Sequence, residues 1–209
     1  MVRSSNSRER LLEAADALMY ARGYEAVSVA DLCEAADARK GSFYHWWPSK
    51  RDLALAMIDR AWQHNLEFVF EPIFDTDDPV LEKFTNYADR LADGLIESLK
   101  STGHVAGCRY GNFAVELSTR DSVIREKVAA TFQKIAAYFE QAIRDGIRAG
   151  ELADDVDAED TATAILSLME GHMVLAKAQN DPEALRRLAR DTVRLLVGNG
   201  YANDKRRPH

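Results

Sequence analysis

The chain has 209 residues, of which 46% are hydrophobic and 29% are charged. This length fits one domain or a small domain joined to a larger one, and the composition supports a packed core, which excludes a disordered chain. The formal net charge of -7 excludes a protein that is basic overall. Residues 1–60 hold nine basic and nine acidic residues, so the whole negative excess lies in residues 61–209. The one stretch suited to contact with a polyanion is 38–51, which has four basic residues and no acidic one.

Two cysteines, Cys33 and Cys108, lie too far apart and are too few for a disulfide framework, which favours a reducing compartment. The first residues lack the apolar core of a signal peptide, and the longest apolar runs fall far short of a membrane span. We therefore expect a soluble cytoplasmic protein without a membrane partner, and we expect neither a cofactor nor a metal.

Helical periodicity dominates the chain, and no segment shows the alternation of a strand. The first predicted helix lies between polar capping residues at 5–7 and Gly23, which suits the position just after a helix. The later helices are predicted at about 28–35, 39–47, 50–70, 80–101, 108–118, 121–149, 157–179 and 182–197. The pattern therefore predicts an all-α fold of about nine helices.

Residues 28–47 are predicted to form two short helices separated by three residues. This spacing lets the second helix pack across the first and present its outer face to a major groove of DNA. The inner face is apolar, with Val29, Leu32, Cys33 and Phe43, and the outer face carries Arg39, Lys40, Ser42, Tyr44 and His45. Gly41 lets the backbone approach DNA closely, and Lys50, at the start of the next helix, is placed to hold a phosphate together with helix amides.

The stretch SVADLCEAADARKGSFYHWWPSKRDLALA, which begins at Ser28, resembles the signature of the TetR family of transcriptional regulators. The capping serine, the turn, Lys-Gly, Phe-Tyr and Pro-Ser-Lys all fall at that family's spacing. The resemblance implies a helix-turn-helix DNA-binding domain over residues 1–50, with Ser28 among its DNA-binding residues, and a helical ligand-binding and dimerisation domain over 51–198. It also implies a homodimer that binds an inverted-repeat operator in double-stranded DNA, most often as a repressor released by a small-molecule inducer. We expect residues 199–209 to be a disordered tail.

Three positions depart from the family pattern. Asp37 stands where the turn usually has glycine, although aspartate tolerates the left-handed conformation at modest cost. Arg39 stands where serine or threonine is common, and it suits a bidentate contact with guanine. Trp46 replaces a common histidine, and it either packs against the sugar-phosphate backbone or stays in the core. These departures leave the operator sequence open.

The two C-terminal helices are the predicted dimer interface, within residues 157–197. A helix that is apolar over more than half of its circumference needs cover on more than one side. The apolar residues of the first of these helices are Ala162, Ile165, Leu166, Leu168, Met169, Met173, Val174 and Leu175. Those of the second are Leu185, Leu188, Ala189, Val193 and Leu196. Gly171 permits close approach of a neighbouring helix.

The segment GHVAGCRYGNFAVELS, residues 103–118, resembles a stretch in the TetR branch that contains the NemR- and AcuR-like regulators. In the electrophile sensors of that branch the cysteine matching Cys108 can be the reactive thiol, and Arg109 beside it can lower the pKa of the thiol. Cys108 is otherwise an inert buried residue, and both interpretations stay open. The inducer is expected to be a small molecule, for example a reactive or an acidic one. Aromatic and polar residues suited to a small-molecule pocket, each of which could instead be a core residue, are Trp62, Tyr87, Cys108, Tyr110, Asn112, Phe113 and His172.

Two other function classes compete with a regulator. An enzyme would use His64, His104 and His172 with Glu116, but no pair has metal-motif spacing and no phosphate loop or nucleophile elbow occurs, so we expect no enzymatic activity. A helical interaction module that has lost DNA binding is favoured by Arg39 and Trp46. The sequence leaves open the inducer, the regulated genes and the choice between repression and activation.

Overall fold

The computed structural model describes the backbone of residues 3–193 and the side chains of residues 7–187 and 191. Every regular element in this range is helical, which confirms the predicted all-α class. The elements are α1 Arg3–Arg22, α2 Val29–Ala35, α3 Lys40–Trp46, α4 Lys50–Asn65, a π-helical turn Leu66–Phe70, α5 Glu71–Phe74, α6 Val80–Thr102, α7 Arg109–Leu117, α8 Ser122–Arg148, α9 Ala158–Gln179 and α10 Pro182–Val193. The predicted tail at 199–209 and the last residues of the predicted helix 182–197 lie outside the described residues.

The chain divides into two compact units. The first contains Met1–Gln63 and Cys108–Thr131, and the second contains His64–Gly107 and Phe132–His209. This division differs from the predicted boundary after residue 50, because the structure groups most of α4, all of α7 and the start of α8 with the helix-turn-helix. The physical reason is a set of polar contacts within the first unit between residues far apart in sequence, such as Arg109 with Asp16 and Lys127 with Asp59.

The core of the first unit lies where α1, α2 and α3 pack against one another. Leu11, Leu32 and Phe43 are completely buried there, as the apolar faces of these helices predict. Ser28 caps α2 reciprocally with Asp31: the Ser28 hydroxyl accepts from the Asp31 amide, and the Asp31 carboxylate accepts from the Ser28 amide. Asp37 has a φ of 45°, so aspartate does adopt the left-handed conformation in the turn.

Three helix boundaries differ from the predicted ones. Helix α1 begins at Arg3, because no helix-breaking residue separates 3–7 from the apolar stripe, and Ser7 lies inside the helix instead of capping it. The connection between α2 and α3 has four residues, since Arg39 is the cap of α3 with extended backbone. The helix predicted to end at Phe70 continues without a break through the π turn to Phe74, which leaves nine separate helical rods among the described residues.

The second unit is built on α6, with α10 packed against both α6 and α9. Its core is an aromatic cluster in which neighbouring ring centroids lie 5.1–6.2 Å apart, formed by Phe70, Phe74, Phe84, Tyr87, Tyr138 and Phe139. The ammonium group of Lys83 is buried and donates to the carbonyls of Phe74 and Thr76 at 3.1 and 2.7 Å. It thereby satisfies carbonyls that the end of α5 leaves without helical partners.

Candidate nucleic-acid interface and neighbouring cleft

Helix α3 presents an exposed polar face, and five of the predicted DNA-binding positions are exposed on it or at its cap. Arg39, Lys40, Gly41, Tyr44 and His45 are exposed, and Ser42 is half-buried. Tyr44 stands out, because 54% of this large aromatic residue is accessible while the adjacent Phe43 is completely buried. A Cβ atom placed on Gly41 would meet no atom within 4 Å, so the backbone is open at this position. The face therefore has the shape and chemistry of a recognition helix.

The four basic residues of the window 38–51 have different surroundings. Arg39 and Lys40 are exposed at the start of α3. Lys50 is half-buried, and its ammonium group donates to the carbonyls of Tyr24 and Val27, each at 3.0 Å, while lying 4.0 Å from the centre of the Tyr24 ring. Arg51 pairs with Asp121 at 3.8 Å. Lys50 thus has an internal role that its sequence position did not reveal, and its predicted contact with a phosphate stays a prediction.

The turn between α2 and α3 is held by a side chain from α1. The guanidinium of Arg10 donates to the carbonyls of Ala36 and Asp37 at 2.8 and 3.0 Å. Trp46 is half-buried, and its indole N–H donates to the Ser7 hydroxyl at 3.3 Å. Within the chain, α1 therefore supports the recognition helix at the turn and near the end of α3.

The loop between α1 and α2 is held by a carboxylate from α7. Glu116 accepts the backbone N–H groups of Tyr24 and Glu25 at 2.9 and 2.8 Å. The sequence pattern suggested Glu116 only as part of a metal or acid–base set, and this contact was not predicted from it. A signal was present, because an acidic residue in the last turn of a helix opposes the helix dipole and gains from a partner elsewhere.

A cleft of about 410 Å³, which includes space open to solvent, lies between α1, α4 and α7 within the first unit. Its lining is mainly aromatic and aliphatic, and the residues are Asp16, Met19, Tyr20, Tyr24, Met57, Ile58, Ala61, Arg109, Tyr110, Asn112, Phe113 and Glu116. Arg109 donates to the Asp16 carboxylate at 2.7 Å and lies 4.8 Å from the centre of the Tyr20 ring. Burial raises the pKa of Asp16, and the cations of Arg109 and Arg60 oppose that rise. Burial, together with nearby carboxylates, raises the pKa of Tyr24 to about 12, so its hydroxyl stays protonated.

The structure brings together only some of the residues predicted to bind a ligand. Tyr110, Asn112 and Phe113 lie on the wall of the cleft. Cys108 is partly exposed and caps α7, with its sulfur accepting the Gly111 amide at 3.4 Å, but it is not among the lining residues. Trp62 is buried in the first unit and also lies outside the lining.

The other two predicted ligand residues, Tyr87 and His172, belong to the second unit. Tyr87 is buried in the aromatic cluster. His172 is half-buried on α9, and burial lowers its pKa. The position of Tyr87 is explained by packing within its own unit, and the predicted ligand contact of His172 stays a prediction.

Helix α9 has two apolar faces, which the sequence could not separate. The face packed inside the chain contains Ala162, Ile165, Met169 and Met173, none more than 5% exposed. The other face is open in this single chain, where Leu168, Val174 and Leu175 are 40%, 60% and 48% exposed. Met169 is therefore a core residue of the protomer and not a surface residue available to a partner.

The residues considered for an enzyme are divided between the two units. His64, His104 and His172 belong to the second unit, whereas Glu116 belongs to the first and holds backbone amides. Among the residues with described positions, no group of three or more His, Cys, Asp or Glu side chains could hold a metal ion. No helix in the described part of the chain combines the length and apolar character needed to cross a bilayer.

Comparison with known proteins identifies the family of the chain. Residues 11–57 match the sequence model for bacterial regulatory proteins of the tetR family, and residues 89–192 match the model for the tetracyclin repressor-like C-terminal domain. The chain is 26% identical to the transcriptional repressor DhaR of Mycobacterium sp. strain GP1 over 178 residues, which covers 85% of this chain and 86% of DhaR. It is also 26% identical to the transcriptional regulator AcuR of Cereibacter sphaeroides over 194 residues, covering 93% of this chain and 87% of AcuR.

The fold has close counterparts among solved structures. The crystal structure of E. coli NemR in its reduced form superposes with a TM-score of 0.79 at 21% identity, covering 91% of this chain and 96% of that one. The two family models together match more than two thirds of the sequence, including the whole helix-turn-helix. The resemblance read from the signature at residues 28–56 is thereby confirmed, and the chain belongs to the TetR family of DNA-binding transcriptional regulators, which are not enzymes.

Proposed function

We propose that this regulator represses transcription by binding an inverted-repeat operator as a homodimer, and that a small molecule releases it. The observation that carries the proposal is the exposed polar face of α3, with Arg39 and Lys40 at its start and Tyr44 and His45 along it. Side-chain hydrogen bonds from Arg10 and Lys50 fix the turn before α3 and the loop before α2. Arg39 reads a base edge, and Lys40 contributes a charge against phosphates. Because operators lie on the chromosome, this function places the protein in the cytoplasm.

Dimerisation follows from the size of the recognition helix. A seven-residue helix reaches only a few base pairs, and a dimer adds a second half-site one turn of DNA away. The open face of α9, with Leu168 and Leu175 one heptad apart and Gly171 between them, supplies an apolar surface suited to a two-fold contact. We propose this face, within the predicted range 157–197, as the main part of the interface.

The inducer is proposed to enter the cleft between α1, α4 and α7. Tyr20, Tyr110 and Phe113 supply aromatic walls, while the charged Asp16 and Arg109 already pair with each other. Because most of the lining is apolar and its carboxylates outnumber its cations, the cleft suits a small uncharged aromatic molecule better than an acidic one. Binding there shifts the population toward a form that does not bind DNA.

Selection from a random-sequence duplex library with the purified wild-type protein tests the DNA-binding proposal. We expect an inverted repeat to be enriched, with affinity that falls steeply as salt rises. Arg39→Ala should cost about 1–3 kcal/mol on the selected duplex and relax the preference at one position in each half-site. Lys40→Ala should weaken binding to the selected and a scrambled duplex by similar factors. Recovery of no enriched sequence would favour the alternative of a helical interaction module without DNA binding.

A further inference from the structure

We propose that Glu116 and Lys50 together form a clamp on the loop between α1 and α2, residues 23–27, and that this clamp positions the helix-turn-helix for operator binding. The inference rests on the proposed DNA-binding function and adds two positioning residues to it. Neither residue needs to touch a base: both act through the loop that leads into α2.

The clamp closes on the loop from two sides with opposite charges. The Glu116 carboxylate uses one oxygen for the Tyr24 amide and the other for the Glu25 amide, at 2.9 and 2.8 Å. The Lys50 ammonium group donates to the carbonyls of Tyr24 and Val27, each at 3.0 Å, and lies over the Tyr24 ring. The four contacts involve charged groups, which makes each one stronger than a bond between neutral partners.

The clamped loop sets the point at which α2 begins. Val27, whose carbonyl Lys50 holds, is completely buried and directly precedes Ser28, the cap of α2. The Tyr24 carbonyl also accepts the Val27 amide at 3.3 Å, but without the clamp the Tyr24 and Glu25 amides would turn to water and the loop would adopt more conformations. A loop with several conformations lowers the fraction of protein that is ready to bind DNA, and the apparent dissociation constant rises by the inverse of that fraction.

Helix α7 links the clamp to the cleft. Tyr110, Phe113 and Glu116 all contribute to the cleft wall, and Glu116 lies one turn beyond Phe113, near the end of the same helix. A rigid helix that moves at one end moves at the other, so a molecule that displaces α7 stretches the two hydrogen bonds at Tyr24 and Glu25. The clamp therefore offers one route by which occupancy of the cleft reaches the recognition helix.

The main test compares Glu116→Gln with the wild type on the duplex selected by the wild-type protein. The amide side chain keeps the size of glutamate but offers only one acceptor oxygen to the two N–H groups, so we expect the dissociation constant to rise about tenfold, as for the loss of one such bond. Glu126→Gln is the matched control. Glu126 is an exposed residue of α8 in the same unit, and its substitution removes the same charge. Circular dichroism checks that both variants keep their helices.

Hydrogen exchange supplies a second measurement that does not depend on DNA. The amides of Tyr24 and Glu25 should exchange faster in Glu116→Gln than in the wild type or in Glu126→Gln. Unchanged exchange at both amides, or a dissociation constant within twofold of the control, would overturn the clamp. If the wild type itself selects no duplex, the proposed function fails, whereas a normal wild type with an unaffected Glu116→Gln defeats this inference alone.

The salt dependence of DNA affinity distinguishes a role of Lys50 in the clamp from a contact between Lys50 and a phosphate. Lys50→Met should weaken operator binding without changing the slope of affinity against salt concentration, and its effect should be less than additive with Glu116→Gln because both act on one loop. A slope reduced by about one unit, with additive effects of the two variants, would show that Lys50 neutralises a phosphate and would remove it from the clamp.

Discussion

Replacement of Gly23 by alanine tests whether the approach of Glu116 to the loop is as close as the structure shows. Gly23 follows α1 with a φ of 87°, in the left-handed region that L side chains rarely adopt. A Cβ atom at this position would lie 3.2 Å from both carboxylate oxygens of Glu116. The substitution therefore adds a backbone strain and also pushes the carboxylate away from the amides that it holds.

The two contributions can be estimated separately. A residue forced into the left-handed region costs about 1–2 kcal/mol. Displacement of the carboxylate by a few tenths of an ångström weakens two hydrogen bonds, each with a net value of about 0.5–1.5 kcal/mol. The free energy of unfolding should fall by about 2–3 kcal/mol in total, which for a chain of this size lowers the melting temperature by roughly 4–12 °C.

Urea denaturation followed by circular dichroism measures the effect in four proteins: the wild type, Gly23→Ala, Glu116→Ala and the double variant. In the background that lacks the Glu116 carboxylate, Gly23→Ala should cost only the strain of about 1–2 kcal/mol. Gly103→Ala is the control for strain alone, since Gly103 has a φ of 79° and an added Cβ would meet nothing within 4 Å. An equal cost of Gly23→Ala in both backgrounds would refute the close contact with Glu116, and no cost in either would refute the need for a positive φ.

Three further predictions concern the interface, the thiols and the pH dependence. Leu175→Glu should raise the dissociation constant of the dimer by about 100-fold or more in sedimentation equilibrium, because it places a charge in the open apolar face of α9. Met169→Glu should instead unfold the protomer, and a dimeric Leu175→Glu variant would contradict the interface. Cys33 is 6% exposed and burial raises the pKa of its thiol, so a thiol reagent at neutral pH should modify Cys108 first. Cys108→Ser should abolish that reaction while the serine still caps α7, and modification of Cys33 first, or of neither thiol before unfolding, would be the contrary result. Burial lowers the pKa of His172, so its neutral form stabilises the fold above the unfolded pKa of about 6.5, and this stability is lost as the pH falls below that value. His172→Gln should flatten the pH dependence of the urea midpoint between about pH 7 and pH 5, and an unchanged dependence would rule out His172 as its source.

The sequence predicted most of the helices and the recognition helix, because these depend on patterns between neighbouring residues. The apolar spacing placed Leu32 and Phe43 in the core, and the position of Ser28 before the apolar run identified it as the cap of α2. The same local reasoning explains why the first helix boundary was wrong. Residues 5–7 suit an N-terminal cap by composition, but such a cap forms only where the helix actually begins. Ser7 lies inside α1, where its hydroxyl accepts the indole N–H of Trp46 from α3.

The residues predicted to bind a ligand are only partly brought together by the structure. Three of the seven proposed ligand residues lie together on the wall of the cleft, and all three lie on α7, where the sequence motif had placed them next to one another. Tyr87 and His172 were chosen because aromatic and titratable side chains suit a pocket, but that criterion applies equally to residues packed in a core. Residue type therefore narrows the candidates, and only three-dimensional packing distinguishes a wall from a core.

The sequence by itself determined the all-α class, the position of the helix-turn-helix and the family. Only the tertiary structure decided which side of α9 is open, where Lys50 directs its charge and which residue holds the loop before α2. The physical reason lies in sequence separation: Glu116 and Tyr24 are 92 positions apart, and Lys50 and Tyr24 are 26 apart. Helix propensity and apolar periodicity act over a few residues, whereas a hydrogen bond between distant segments exists only after the packing of α1, α4 and α7 has brought its donor and acceptor together.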